Sequence, residues 1–182
     1  MKIQSRNLVF GYVRVVILGT LVAVVLAIIG LIIHWRPAKT VNRQQATLID
    51  AVESKKGARF RRLLSNEYKD RWGFTVEDAT EAMLDVRSQF MTLGITLKEQ
   101  KIEIAGKRAK IITKFTLGGT PIGGGNEVKR HINGLDTPWE FTWKKQSFLP
   151  SSWRLVNIEN EAISDNVWGY EPGSIRRQMN GN

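Results

Sequence analysis

The feature that most constrains this chain is an apolar run over residues 15–33, VVILGTLVAVVLAIIGLII. The run contains no charged residue, no amide and no proline. As an α-helix it would extend roughly 28 Å, about the hydrocarbon thickness of a bilayer. A helix of this length in a water-soluble domain would normally carry polar residues on one side. The sequence therefore predicts a single N-terminal transmembrane helix over residues 15–33.

The flanks of this run predict how the helix is used. Secretory signal peptides have shorter apolar regions of about 7–15 residues, so we expect the helix to be retained as an anchor. Basic residues occur on both sides, and the positive-inside rule gives little preference. Because long C-terminal domains are translocated largely regardless of their charge, we expect a cytoplasmic N-terminal tail, residues 1–14, and a periplasmic or otherwise extracytoplasmic domain.

Small residues recur along one side of the predicted span. Gly19, Ala23 and Ala27 are four residues apart, and Gly30 follows. Such a stripe lets another helix approach closely, so it is a candidate helix-packing face. Glycine and alanine are also common in membrane helices in general, and both interpretations stay open.

Composition limits the chemistry that the remaining chain can perform. About 120 residues remain after the span and its flanks, enough for one domain with a core. The sequence has no cysteine, which excludes disulfides, thiolate zinc sites and a cysteine nucleophile. The net charge of +10 favours anionic partners, and for a tethered protein the nearest are the headgroups of membrane lipid.

Hydrophobic spacing predicts helices first and strands afterwards. After a linker at 34–39, helical spacing occupies about 40–54, 58–64 and 75–91, with Thr40 as one N-cap and a capping box from Thr75 to Asp78 as another. From Leu93 the spacing changes to period two, and its phase shifts between Leu97 and Ile102, which indicates a bend or bulge.

The second half of the strand region is punctuated by glycines. Residues 118–125 are glycine-rich but lack the Lys-Ser/Thr and helix of a phosphate loop, so we expect a mobile hairpin loop and no nucleotide site. A short strand is predicted at 128–132, followed by a turn at Asn133 and Gly134.

The last two predicted strands carry a resemblance to a known superfamily. The segments WEFTWKK at 139–145 and SWRLVNIE at 152–159 form an aromatic strand, a basic turn and a closing strand. With the preceding helices, residues 40–160 resemble the nuclear transport factor 2-like superfamily. The resemblance implies an α+β cone, about three helices packed in a curved antiparallel sheet, often with a pocket at the open end.

An enzyme of this superfamily would need an acid and a base inside the cone. The candidates are Tyr68, Asp70, Asp85 and His131, which form no recognisable constellation. Tyr68 and Asp70 are interpreted as part of a solvated turn, and Asp85 as part of the polar face of a helix. We therefore expect no catalytic site. His131 on its strand and the aromatic residues of the next strand are candidate pocket residues: His131, Trp139, Phe141 and Trp143.

Charged and aromatic clusters outside the pocket suggest partners. Two histidines cannot supply a familiar metal-ligand set, and no cofactor is predicted. The densest basic patch could bind anionic lipid or an acidic partner, or could be a solvated helix face; nucleic acid is not expected outside the cytoplasm. The C-terminal tail, 161–182, carries Trp168 and Tyr170, which we expect to dock on the domain or on another subunit. The basic patch comprises Lys55, Lys56, Arg59, Arg61 and Arg62.

The predicted function follows from this architecture. We expect a non-catalytic, membrane-anchored accessory, scaffold or assembly subunit that contacts other membrane protein subunits, similar in architecture to the tethered periplasmic scaffold component of type IV secretion systems. The alternative is a domain that binds, or less readily modifies, a small molecule in the cone.

Overall fold

After the helix of the apolar run, three helices precede the first strand, in the order that the sequence predicts. The computed structural model describes residues 17–30, 36–164, 169–179 and 181. Six helices are described, and we number them α1 to α6 in chain order: α1 over 17–30, α2 Pro37–Glu53, α3 Gly57–Leu63, α4 Val76–Ser88, α5 Gly125–Asn133 and α6 Ser174–Met179. The strands are β1 Phe90–Ala105, β2 Arg108–Pro121, β3 Trp139–Lys145 and β4 Trp153–Glu159.

Residues 17–30 of the apolar run form helix α1, but the predicted membrane span is not supported. Within the described ranges, no helix is long and apolar enough to cross a bilayer. The predicted localisation, a single-pass membrane protein with an extracytoplasmic domain, is therefore wrong. Positions 15–16 and 31–33 of the predicted span, the tail at 1–14 and linker positions 34–35 lie outside the described residues.

The four strands form one antiparallel sheet in the order β1-β2-β3-β4. The register between β1 and β2 shifts between Lys98 and Lys101, where Glu99 has φ +53°, so the predicted bulge is confirmed. On β3, Trp139, Phe141 and Trp143 are buried while the residues between them are half-buried, as the alternating pattern predicts. The predicted α+β class is confirmed.

Helix starts show where local patterns were informative. The capping box is present, because the amide of Asp78 donates to Thr75 Oγ1 at 3.3 Å and the amide of Thr75 donates to Asp78 Oδ2 at 3.0 Å. The cap predicted at Thr40 is wrong. Helix α2 begins at Pro37, whose missing amide hydrogen is harmless in the first turn, and the Thr40 hydroxyl donates to the Pro37 carbonyl at 2.9 Å.

The segment predicted as a glycine loop and a short strand is organised differently. Strand β2 continues to Pro121, and Gly125–Asn133 forms helix α5. The Gln89 side-chain oxygen accepts from the Gly124 amide at 2.7 Å, and the Asn133 side chain bonds the backbone of Leu117 through both its oxygen and its nitrogen. These contacts from distant residues hold both ends of a helix whose apolar spacing fits a strand equally well.

The core lies between helices α2 to α4 and the sheet. Its fully buried side chains include Val41, Leu48, Ile111, Leu155 and Trp143. A smaller cluster of Phe90, Leu93 and Leu117 packs beside it. The helices and the concave side of the cone-like sheet therefore share one apolar interior, which leaves room for a cavity at one end.

Candidate functional site

A cavity of about 630 Å³ lies between helices α2 to α5 and the sheet. Most of its wall is apolar. Six of the side chains that form this wall are Phe60, Met83, Val86, Ile132, Trp139 and Ile158. A volume in this range with an apolar lining and a few polar groups is typical of sites for small organic molecules.

Two polar residues of the wall, Tyr68 and Asp70, are bonded to each other. The Tyr68 hydroxyl donates to Asp70 Oδ2 at 3.1 Å, and both residues are buried. Asp70 Oδ1 accepts from the amides of Trp72 at 3.0 Å and Phe74 at 2.9 Å. The carboxylate thus shapes the turn that brings Trp72 and Phe74 to the cavity.

Burial changes the acidity of this pair. Loss of solvation raises the pKa of Asp70, while its hydrogen bonds from Phe74, Tyr68 and Trp72 act in the opposite direction. Burial is also the largest cause that raises the pKa of Tyr68 far above its usual range, followed by the nearby charge of Asp70. Tyr68 therefore remains a protonated hydrogen-bond donor at physiological pH.

Aromatic rings form one side of the cavity. Trp139 stacks on Phe115 with ring centroids 4.9 Å apart, and it meets Trp72 at 6.2 Å in a tilted arrangement. The indole nitrogen of Trp72 is buried and has no hydrogen-bond partner among the described residues. The stacked geometry fixes the position of the Trp139 ring as a flat apolar wall.

The structure separates the four predicted pocket residues. His131 and Trp139 line the cavity, although His131 lies on helix α5 and not on a strand. Phe141 and Trp143 belong to the buried core and are not part of the cavity wall. Trp139, Phe141 and Trp143 share one face of β3, but only Trp139, at the start of the strand, reaches the cavity.

The C-terminal residues also contribute to the wall. Tyr170 and Ile175 line the cavity, and the Tyr170 ring meets Phe74 edge-on with centroids 6.3 Å apart. The Tyr170 hydroxyl donates to Asp85 Oδ2 at 2.9 Å. Burial, followed by this bond, raises the pKa of Tyr170 well above its usual range. Trp168, the other predicted docking residue, lies outside the described residues.

The sequence did not predict that Tyr68, Asp70 and Asp85 are buried. Tyr68 and Asp70 were predicted to be solvated, but both are buried. Asp85 was predicted on a polar helix face, but it has no exposure. The hydrophilic neighbours of Tyr68 gave no signal of this, because its burial depends on contacts with strand β4, where the Lys69 amide donates to the Val156 carbonyl at 3.1 Å.

The basic patch lies away from the cavity, at and around helix α3. Arg59 pairs with Asp50 and Arg61 pairs with Glu77, whereas Lys55 and Lys56 are exposed. Arg62 contributes to a shallow depression of about 460 Å³. The patch is thus partly neutralised by the domain's own carboxylates.

The predicted helix-packing face lies on α1. Gly19, Ala23, Ala27 and Gly30 are all exposed. A methyl group added at Gly19 or Gly30 would meet no other atom within 4 Å. The described part of the chain therefore places no neighbour against this stripe. Within the same part, no group of three or more histidine or acidic side chains could hold a metal ion.

Known proteins resemble this chain in structure and not in sequence. No family model and no curated protein matches it. Among solved structures, an NTF2-like protein from Cytophaga hutchinsonii has a TM-score of 0.50 at 15% identity, and the match covers 70% of this chain and 99% of that one. A protein described as a candidate ketosteroid isomerase from Shewanella frigidimarina has a TM-score of 0.50 at 17% identity, covering 67% of this chain and 94% of that one.

A third similar structure is Bd1075 from Bdellovibrio bacteriovorus. It has a TM-score of 0.51 at 11% identity, and the match covers 69% of this chain but only 40% of Bd1075. At these identities the matches show the fold alone. The domain therefore has the nuclear transport factor 2-like fold that the closing hairpin predicts.

Proposed function

We propose that this domain binds a small, mainly apolar molecule in the cavity between its helices and its sheet, without transforming it. The observation that carries the proposal is a cavity of about 630 Å³ with an apolar wall. Tyr68 and Trp72 are among its few polar lining residues, and the buried Trp72 indole N–H has no acceptor among the described residues. Such a site holds a ligand by apolar burial and orients it through few hydrogen bonds.

The bonding of Asp70 favours binding over catalysis. Its two carboxylate oxygens accept from two backbone amides and from the Tyr68 hydroxyl. A general base must be free to take a proton from a substrate at hydrogen-bond distance. The carboxylate of Asp70 is already used to hold the turn, which supports a structural role. The name of the Shewanella frigidimarina protein suggests an isomerase, but this applies to that protein.

Fluorescence titration with N-phenyl-1-naphthylamine, a neutral apolar probe, tests the proposal on the full chain. We expect saturable binding, at least about tenfold weaker in Ala82→Phe because the larger ring fills the cavity. Ala82 lines the cavity, whereas Ala58 is exposed on helix α3 and does not. Ala58→Phe is therefore the matched control and should bind as the wild type does.

Two outcomes would contradict the proposal. One is the absence of saturable binding in the wild type. The other is equal binding by the wild type and Ala82→Phe when circular dichroism shows both to be folded. Mass spectrometry of the purified protein offers a second test, since a small molecule that co-purifies with the wild type should be lost from Ala82→Phe and retained by Ala58→Phe.

The function predicted first, a non-catalytic accessory, scaffold or assembly subunit of a membrane complex, stays a prediction. The partners predicted with it, membrane lipid and other membrane protein subunits, stay predictions as well. The cavity is a specific feature that favours the ligand-binding function, whereas no described residue packs against a methyl group added at Gly19 or Gly30 of the α1 stripe.

A further inference from the structure

Residues 169–179, here called the C-terminal segment, form part of the cavity wall. This segment is attached to the domain differently from the rest of the wall. It contributes Tyr170 and Ile175 to the lining. The other lining residues lie on helices α2 to α5, on strands β3 and β4, at Ile163 and in the turn at 68–74. Displacing most of those elements would disrupt the core or the sheet.

One carboxylate, that of Asp85, accepts most of the hydrogen bonds that join the C-terminal segment to the rest of the described domain. Met179 Sδ in addition accepts from Ser88 Oγ at 3.7 Å and from Gln89 Nε2 at 3.4 Å. Asp85 on α4 has no exposure, and Oδ2 accepts from the Tyr170 hydroxyl at 2.9 Å and from the Ile175 amide at 3.3 Å. Its Oδ1 accepts from the Arg176 amide at 3.1 Å and from Arg176 Nε at 3.2 Å. Four donors from the segment thus converge on one side chain, and Arg176 also pairs with Glu81 one turn earlier on the helix.

Apolar packing adds little to this attachment. Helix α6 contains no buried residue, and Met179 at its end is 58% exposed. In the part of the chain that the structure describes, the backbone-to-backbone hydrogen bonds of the segment join residues within it, such as the Arg177 amide to the Gly173 carbonyl. The turn at 68–74, by contrast, is bonded to β4 through the Lys69 amide, and Ser65 just before the turn is bonded to β4 as well. Few buried apolar contacts and no shared ladder are the properties of a locally detachable unit.

We propose that the C-terminal segment is the movable wall of the cavity, that Asp85 holds it closed, and that its detachment admits and releases the ligand. Tyr170 and Ile175 then limit the size of the ligand that the closed cavity holds. This inference rests on the proposed binding function. It also predicts a change in local dynamics that does not depend on any ligand.

Asp85→Asn tests the role of the carboxylate with almost no change in volume. The new amide nitrogen cannot accept from Tyr170 or Ile175, and the remaining oxygen loses its charge. In the full chain we expect N-phenyl-1-naphthylamine to dissociate about tenfold faster in stopped-flow measurements. Glu171→Gln is the matched control, because Glu171 is exposed and, among the described residues, its carboxylate pairs only with Arg177 at 3.4 Å within the same segment.

Arg176→Ala provides a second variant on the other side of the contact, in case Asp85→Asn does not fold. Arg176 is partly exposed, so its removal leaves the core unchanged. Hydrogen–deuterium exchange of the amides at 175 and 176 should be at least about tenfold faster in either variant, while amides of α2 keep their protection. In Glu171→Gln, both the rate of probe dissociation and the exchange of the amides at 175 and 176 should equal those of the wild type.

The two readouts separate failure of this inference from failure of the binding function. If the probe binds the wild type but dissociates equally fast from wild type, Asp85→Asn and Arg176→Ala, the movable wall is refuted and the binding function stands. If exchange at 175 and 176 is unchanged in both variants, Asp85 does not hold the segment. If exchange accelerates but no probe binds the wild type, the attachment is supported, whereas the binding function and the admission of a ligand are refuted.

Discussion

The indole nitrogen of Trp143 donates a hydrogen bond to the side-chain oxygen of Gln45 across 3.1 Å, and both residues are fully buried. The bond joins the first helix of the domain to the third strand, 98 residues away in sequence. A tryptophan at the centre of the core needs an acceptor for its N–H, because an unpaired buried donor is costly. Gln45 supplies that acceptor.

Gln45→Leu should therefore destabilise the domain by roughly 0.5–1.5 kcal/mol. The Trp143 donor is left without a partner, but the buried Gln45 Nε2, which has no partner among the described residues, is removed at the same time. The adjacent Gln44 is only half-buried and has no such bond, so Gln44→Leu is the matched control and should change stability by less than about 0.5 kcal/mol. Urea unfolding followed by fluorescence measures both. Equal effects of the two substitutions would show that the bond contributes nothing.

The raised pKa of Tyr68 predicts a loss of stability at alkaline pH. The ordinary tyrosine pKa is 10.0, and the folded value lies far above it. Above pH 10 the unfolded chain releases the phenolic proton while the folded chain keeps it, so the free energy of unfolding falls as pH rises. The contribution approaches about 1.4 kcal/mol per pH unit. Between pH 10 and 12, Tyr68→Phe should make the free energy of unfolding fall less steeply with pH, by about that amount. Urea titrations at several pH values measure this dependence. If the wild type and Tyr68→Phe lose stability equally fast with rising pH, the pKa of Tyr68 is not raised in the folded state.

Gly119 occupies a position in β2 that other residues cannot adopt. Its φ is +98°, and a Cβ there would lie 2.2 Å from the Thr92 carbonyl oxygen. Gly119→Ala should destabilise the domain by roughly 2–4 kcal/mol. Gly94 on the facing strand has ordinary φ and no atom within 4 Å of an added Cβ, so Gly94→Ala is the control. Thermal unfolding compares them, and equal midpoints would contradict the prediction.

Thr75 caps helix α4, which carries Met83, Val86 and Asp85 to the cavity region. Thr75→Ala removes the capping box and should cost about 1 kcal/mol. Thr80→Ala in the same helix is the control, because the Thr80 hydroxyl only donates to the Val76 carbonyl and alanine has the higher helix propensity. If both variants unfold at the same urea concentration, the cap has no energetic role.

Features with a strictly local cause could be predicted from the sequence. The capping box of α4, the bulge between Lys98 and Lys101 and the inward face of Trp139, Phe141 and Trp143 are all confirmed. Each depends on neighbouring residues or on a regular period. The resemblance of the closing hairpin was sufficient for the fold.

Features that depend on distant partners were predicted wrongly. Helix α5 has apolar spacing that fits a strand as well, and it is held by Gln89 and Asn133 through contacts with other elements. The apolar run predicted a membrane span, but no helix within the described ranges is long and apolar enough to cross a bilayer.

The sequence by itself determined the α+β order of elements and the side of each strand that faces inward, because side-chain alternation follows directly from backbone geometry. Only the tertiary structure decided that Tyr68, Asp70 and Asp85 are buried. A polar side chain can be buried when hydrogen-bond partners surround it, and the partners of Asp85 lie 85 or more residues later in the chain. No local pattern around Asp85 reveals those partners, so the wall of the cavity became visible only in the folded chain.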